Sequence, residues 1–230
     1  MINDIYNFYN SNYIGEVSKG GYYDEKKLFY LENLEKIKNN KKNLKILDIA
    51  CNDGQLALAF KKYGDVMGID INKDAVKRSI KNGIKCIHTD VYGLGKKYYS
   101  YFDVVIAGDI IEHVFNTDNF LYEIDKLLNV RGVLLLTTAN IASLGRRMML
   151  LFGQNPYTEY STMLPNKEYN VGHIRYYTAK NIKDQLEMVG FQEVEVFGDK
   201  INITSNIAIP RFISKHLPSL SRYLHVVAKK

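Results

Sequence analysis

The stretch Lys45-Ile46-Leu47-Asp48-Ile49-Ala50-Cys51-Asn52-Asp53-Gly54 runs from an apolar strand into a tight polar turn, and Gln55 to about Tyr63 continues it as a helix. A second apolar run, Val66-Met67-Gly68-Ile69, ends in Asp70, 22 residues after Asp48. A third, Ile84-Lys85-Cys86-Ile87, leads into Thr89-Asp90-Val91. Short apolar runs that alternate with helical patterns are what a parallel sheet covered on both faces requires. Successive strand ends of such a sheet lie along one crevice, where nucleotide-like ligands bind. Carboxylates placed there accept hydrogen bonds from hydroxyl or amino groups. They repel a pyrophosphate and suit a cation.

The same rhythm extends in both directions. The expected order is strand 44–50, helix 54–63, strand 65–70, helix 73–82, strand 84–88, a loop over 89–101, and a strand at Phe102-Asp103-Val104-Val105-Ile106-Ala107. Thr117 caps a helix whose Phe120, Leu121, Ile124, Leu127 and Leu128 form an apolar stripe, and Gly132 to Thr138 is a fifth strand. Thr178 opens another helix, closed by Gly190, and residues 191–197 and 223–228 read as two final strands. Ahead of all this, a helix begins near Asp24, with Leu28, Leu31, Leu34 and Ile37 on one side. These patterns give an α/β fold with a doubly wound parallel sheet. They divide the chain into an N-terminal helical cap, 1–43, and a main domain, 44–230. The main domain carries an inserted segment at 139–177, and 199–221 is a second stretch outside the rhythm. Long connections of this kind usually carry function.

The chain has 230 residues, 46% hydrophobic and 24% charged, ordinary for a globular protein with a full core. No apolar run approaches the roughly 20 residues that span a bilayer. Met1 to Asn7 lacks a basic region and an apolar core, so the expected location is the cytoplasm. Cys51 and Cys86 read as reduced thiols, and no base near Cys51 in sequence supports a catalytic thiol. A net charge of +6 favours acidic partners, but the lysines are scattered and no basic helix is interleaved with aromatics. A solvated basic surface therefore explains the charge better than a nucleic-acid site.

From roughly Leu44 to Phe197 the chain resembles the class I S-adenosylmethionine-dependent methyltransferases, through five motifs in the right order. The resemblance implies a Rossmann-like methyltransferase sheet, mostly parallel, with the final strand inserted antiparallel. It also implies S-adenosylmethionine as cofactor. By the same resemblance Asp70 holds both ribose hydroxyls, and Asp90 with Val91 brackets the adenine. Asp48, Ala50, Asn52 and Gly54 wrap the methionine end. Cys51, Ile71 and Asp109 complete the expected donor-site set. The loop departs from the family's Asp-x-Gly-x-Gly-x-Gly, because Ala50 and Asn52 replace the first two glycines. Asn tolerates left-handed backbone well, whereas Ala50 adds a methyl group where backbone approaches ligand. Two rival readings are a βαβ unit without ligand and a nicotinamide dinucleotide site. The second needs three spaced glycines to bring a pyrophosphate to a helix N-terminus.

Ala107-Gly108-Asp109-Ile110-Ile111-Glu112-His113-Val114 follows the fourth strand. A helical turn starting at Asp109 would put Asp109, Glu112 and His113 on one face. The pattern is similar to the acid-x-x-Glu-His motif of quinone-biosynthesis O-methyltransferases and of enzymes that methylate the terminal 2′-hydroxyl of small RNAs. In both groups the motif binds a divalent metal that grips the acceptor oxygen. That resemblance makes Asp109, Glu112, His113 and His173 the candidate ligands for Mg²⁺, Mn²⁺ or Fe²⁺. His173 lies 60 residues beyond His113. The alternative is metal-free, with the carboxylate capping a loop and an imidazole serving the acceptor; it is the commoner arrangement in small-molecule members. Either way the catalytic candidates are His113, His173 and Glu112, and the sequence does not say which His removes the acceptor's proton.

Residues 142–153 form a short apolar segment with Arg146 and Arg147, suited to a lid over the acceptor, to a peripheral membrane contact or to plain packing. Gln154 to Tyr160 adds hydroxyls and aromatic faces, and Tyr6, Tyr9 and Tyr13 are candidates to fold over the cofactor. The reading that follows is a methyltransferase acting on a small-molecule acceptor, anionic or lipid-linked, at a hydroxyl oxygen. Its rivals are a metal-assisted methyltransferase of RNA termini and a non-catalytic partner protein that kept the fold.

Overall fold

A computed structural model describes residues 21–39, 41–157, 172–202, 208–209 and 211–230. Tyr6, Tyr9, Tyr13, Thr158, Glu159 and Tyr160 lie outside these residues, as do the first 20 positions of the expected cap. The apolar runs become β1 (Leu44–Ile49), β2 (Gly64–Asp70), β3 (Lys85–His88) and β4 (Phe102–Gly108), then β5 (Leu128–Ala139), β6 (Gln192–Gly198) and β9 (Tyr223–Lys229). β7 (Ile201–Asn202) and β8 (Ala208–Ile209) make a separate two-stranded antiparallel pair. The helices are α1 (Gly21–Lys38), α2 (Gln55–Phe60), α3 (Lys73–Lys81), α4 (Thr117–Leu127), α5 (Leu144–Leu151), α6 (Ala179–Val189) and the short α7 (Arg211–Ser214).

Seven strands form one sheet in the order β3-β2-β1-β4-β5-β9-β6, mostly parallel with one antiparallel strand. That strand is β9. Asn140 N–H donates to Arg222 O where β5 ends and β9 begins, while Lys230 N–H donates to Gly132 O at the opposite end. Among the described residues no helix is long and apolar enough to cross a membrane.

The chain divides into two compact units. The first comprises Met1–Ala107, Tyr122–Leu135 and Lys229–Lys230. In it β1 pairs in parallel with β2, from Leu44↔Gly64 to Ile49↔Ile69, and with β4, from Ile46↔Val104 to Ile49↔Ala107. Five of the six β1 residues are buried, as a central parallel strand demands. α1 packs Phe29, Tyr30 and Leu34 inward, with Tyr30 edge-on to Phe60 of α2 at 5.9 Å, while Leu28 is 44% exposed. The expected stripe at every third residue therefore fails at its start. Each three-residue step falls about 60° short of a full turn at 3.6 residues per turn, so Leu28 and Leu34 cannot share a face. α2 stops at Phe60 rather than Tyr63, because β2 begins at Gly64. α3 is capped by Asn72, whose Oδ1 accepts from Asp74 N–H and Ala75 N–H, both at 2.9 Å. Leu128, expected at the end of the α4 stripe, opens β5 instead, and the strand passes through a left-handed Arg131 (φ 72°) before its fully buried stretch.

The second unit comprises Gly108–Leu121 and Leu136–Ala228. Thr178 and Gly190 cap α6 as its sequence predicts, the threonine accepting from Asn181 N–H and the glycine adopting φ 117°. Asn140, fully buried, organises the chain around α5. Its Nδ2 donates to Pro218 O and Ser221 O, its Oδ1 accepts from Ala142 N–H, and Ile141 N–H reaches Tyr177 O. α5 is thereby held against the segment that leads into β9.

Candidate active site

The loop after β1 is shaped by left-handed backbone at alternate positions: Ala50 (φ 56°), Asn52 (φ 49°) and Gly54 (φ 77°). These are the three positions the family fills with glycine. The chain thus keeps the conformation with one glycine of the three. The turn is locked to β2, since Cys51 N–H donates to Ile69 O and Asn52 N–H donates to Asp70 Oδ2 at 2.9 Å. The other Asp70 oxygen accepts from Asn72 N–H at 2.8 Å. Each carboxylate oxygen keeps a lone pair for a ligand hydroxyl. Burial raises the Asp70 pKa, against the lowering effect of the Asn72 and Asn52 amides.

Asp48 is 4% exposed and its Oδ2 has no hydrogen-bond partner. Burial pushes its pKa from 3.8 to about 7; Lys26 of α1 pulls it down and Asp70 pushes it up. A buried carboxylate with an orphaned oxygen suits a cation, and S-adenosylmethionine carries both a sulfonium and an ammonium. Beyond the strand ends, Ile71, Asn72, Lys73, Asp74, His88, Thr89 and Asp90 line a cleft of about 560 Å³. Asp90 Oδ1 holds Gly93 N–H at 2.9 Å, His88 Nε2–H donates to Ile71 O at 2.8 Å, and the Val91 side chain is buried. These residues fit the adenosyl cofactor on three counts: loop conformation, orphaned carboxylate and carboxylate-lined cleft. Cys51 contributes its backbone only. Its side chain lies over Gly68, with Sγ 3.4 Å from Cys86 Sγ.

In the second unit the expected helical turn from Asp109 does not form. Asp109 is left-handed (φ 53°), and a 3₁₀ turn covers Ile111–His113. Asp109 N–H donates to Thr137 O, and its carboxylate accepts from Thr137 Oγ1 at 2.8 Å. The backbone thus turns this side chain to the end of β5, outside the group formed by Glu112, His113 and His173. In that group one ligand atom from each residue lies within 4.8 Å of the others. Glu112 is 2% exposed. Its Oε2 accepts from Thr138 Oγ1 at 2.9 Å, and its Oε1 stands 3.9 Å from His173 Nε2. Burial first, then Asp109, pushes the Glu112 pKa to about 7, while His173 draws it down.

His113 Nδ1–H donates to Gly172 O at 3.2 Å, which leaves Nε2 as the basic nitrogen. The two imidazole rings are 4.8 Å apart. The segment carrying His173 is fixed by Ile174 N–H and Arg175 N–H, which both donate to Glu112 O, and by the Arg175 guanidinium on Val114 O and Phe115 O. Tyr176 and Tyr157 meet edge-on at 4.5 Å and Tyr176 stands edge-on to His173, so aromatic faces border the group.

Sequence reasoning missed His88, Lys26, Thr137 and Thr138. Two hydroxyls at the end of the apolar β5 run were the available signal for Thr137 and Thr138, since a strand end of this sheet borders the ligand side.

A family model described as a methyltransferase domain matches residues 22–196. The chain is 34% identical over 108 residues to a ubiquinone biosynthesis O-methyltransferase of Pelagibacter ubique (strain HTCC1062), covering 43% of each protein. The match thus spans less than half of that relative's length. Two solved structures share the fold. One is a SAM-dependent methyltransferase from Archaeoglobus fulgidus (TM-score 0.61, 17% identity, 92% of this chain and 100% of that one). The other is the magnesium protoporphyrin IX methyltransferase of Synechocystis PCC 6803 with bound SAH (TM-score 0.62, 15% identity, 100% of both chains). With a matched model over most of its length, the chain belongs to this methyltransferase-domain family.

Proposed function

We propose that this chain is a class I S-adenosylmethionine-dependent enzyme that methylates a hydroxyl oxygen of a small acceptor. The observation that carries the reading is the group of Glu112, His113 and His173. The cofactor supplies an electrophilic methyl group, so an oxygen acceptor needs only alignment and loss of its proton. His113 Nε2 takes that proton, because its Nδ1–H is committed to Gly172 O. Glu112, held by Thr138 and by its burial, offsets the imidazolium charge as it forms. His173 orients the acceptor oxygen.

One carboxylate and two imidazoles also suit a divalent metal with open positions for the acceptor. Adjacent ligand atoms about 2.1 Å from such an ion are about 3.0–3.4 Å apart, so the group would close by up to about 1.5 Å around it. Glu112, His113 and His173 would hold the ion, which would lower the acceptor hydroxyl's pKa. Asp109 is not among its ligands in this reading.

The O-methyltransferase named among the relatives supports oxygen as the acceptor atom. The RNA-terminal and non-catalytic readings draw no support from these relatives. For residues 142–153 we propose a peripheral membrane contact, with Met148, Leu150, Leu151 and Phe152 exposed at 41–72%, in keeping with a lipid-linked acceptor. Two free thiols suit a cytoplasmic location.

The test is methyl transfer from isotopically labelled S-adenosylmethionine to catechols and to matching amines, followed by mass spectrometry. Label on oxygen that falls by about 100-fold or more in His113→Ala supports the reading. Label on nitrogen alone, or full activity in His113→Ala, overturns it.

A further inference from the structure

α5 carries two neighbouring arginines with opposite fates. Arg147 is spent on structure, its Nε donating to Ala142 O at 2.6 Å and its Nη2 to Ser219 O at 3.0 Å. Leu144 N–H donates to Leu220 O on the same segment, so the helix is fixed at its first turn. Arg146 makes no hydrogen bond and no ion pair among the described residues, yet its Nη1 is shut off from solvent.

A guanidinium stays charged at any ordinary pH and offers five donors. A donor shut off from water without an acceptor is costly, and such a donor is commonly completed by a ligand oxygen. The surroundings say which ligand. Arg146 lies within electrostatic reach of the Tyr223 hydroxyl, whose pKa burial raises and whose charged neighbours are Arg222, Asp109, Asp199 and Arg146. Asp109 in turn acts on Glu112. Arg146 and the Glu112, His113 and His173 group belong to the second unit, and α5 follows directly on the end of β5 whose Thr137 and Thr138 hold Asp109 and Glu112. In the same unit Asp109 accepts from Thr137 Oγ1 and Asp199 from Tyr223 N–H.

We propose that Arg146 is a binding residue for an oxyanion, a carboxylate or a phosphate, borne by the methyl acceptor. The inference deepens the acceptor reading and rests on it for the identity of the ligand as acceptor. A planar guanidinium takes either oxyanion in a two-point grip. Carried on α5, it recognises the acceptor while the Glu112, His113 and His173 group activates the hydroxyl.

The test needs no turnover, so it can fail independently of the oxygen-acceptor assignment. The full chain, its Arg146→Gln and Arg146→Lys variants and Arg147→Gln are each titrated calorimetrically with benzoate, inorganic phosphate and neutral benzamide. S-adenosylmethionine affinity is measured in parallel. The expected result is binding of one anion by the wild-type chain and Arg147→Gln, with benzamide at least about tenfold weaker. Arg146→Gln loses about tenfold or more in anion affinity with its S-adenosylmethionine affinity unchanged, and Arg146→Lys falls between. Benzoate binding identifies a carboxylate, phosphate binding a phosphoryl group. No anion binding by the wild-type chain, equal binding by Arg146→Gln, or equal loss in Arg147→Gln overturns the proposal.

Discussion

Replacing Asp48 by Asn keeps the shape of the side chain and removes its ionisation. In the ligand-free protein that ionisation is unfavourable, since the carboxyl is 4% exposed, one oxygen lacks a partner, and burial pushes its pKa from 3.8 to about 7. Because the folded pKa lies above the unfolded one, the stability this group allows is full below about pH 3.8 and is lost as pH rises toward 7. At about 1.36 kcal/mol per tenfold change in proton affinity, the gap corresponds to about 4 kcal/mol, an upper figure. Asn cannot ionise. Asp48→Asn should therefore match wild type near pH 4 and be the more stable protein at pH 8. For a chain of this size that upper figure corresponds to about 8–16 °C in unfolding temperature. Thermal unfolding without ligand at the two pH values measures it.

Cofactor binding moves the other way, because the cation loses its counter-charge; the variant's affinity for S-adenosylmethionine should fall by about 10–100-fold. Wild type should also release a proton on binding near pH 6, seen by calorimetry in buffers of different ionisation enthalpy, and the variant should not. Equal or lower stability of Asp48→Asn at pH 8, or unaltered affinity, would refute the reasoning.

Asp70→Ala removes the acceptor for Asn52 N–H and Asn72 N–H as well as the proposed ribose contact, so S-adenosylmethionine affinity should drop by at least about 100-fold in calorimetry; an unchanged affinity contradicts the assignment. Gly68→Ala places a Cβ 2.5 Å from Cys51 Sγ and should cost about 1–3 kcal/mol of stability in chemical denaturation. Most of that loss should return in the double variant with Cys51→Ala, and a lack of rescue would show that the sulfur is not the obstacle. If Glu112, His113 and His173 hold a metal, Mn²⁺ should bind the wild-type chain and fail to bind His173→Ala; activity at full rate after thorough chelation rules the coordination out.

The donor half of the molecule was legible because its signals are local. Each carboxylate at a strand end follows an apolar run in the same short segment, and parallel pairing such as Asp48↔Gly68 and Asp70↔His88 aligns those ends without any long-range information. The acceptor half was less so. Nothing in Asp109 as a residue type announces its left-handed backbone, and the partners that hold Asp109 and Glu112, Thr137 and Thr138, come from a strand 28 and 26 residues away. Arg146 was visible only as one of two arginines, and its lack of partners is a property of the packed chain.

Between these cases stands Ala50, where the sequence departs from glycine and the backbone does not. Left-handed backbone costs a non-glycine residue about 1–2 kcal/mol, while glycine loses about 0.5–1 kcal/mol of additional chain entropy on folding. The Ala50 side chain is exposed, so removing its methyl group sacrifices no core contact. Ala50→Gly should accordingly leave stability unchanged or raise it by up to about 1 kcal/mol, and should bind S-adenosylmethionine at least as tightly as wild type. An unfolding temperature lowered by several degrees would mean that the methyl group serves a contact beyond the turn, and that the loop's shape is not what the first two family glycines supply.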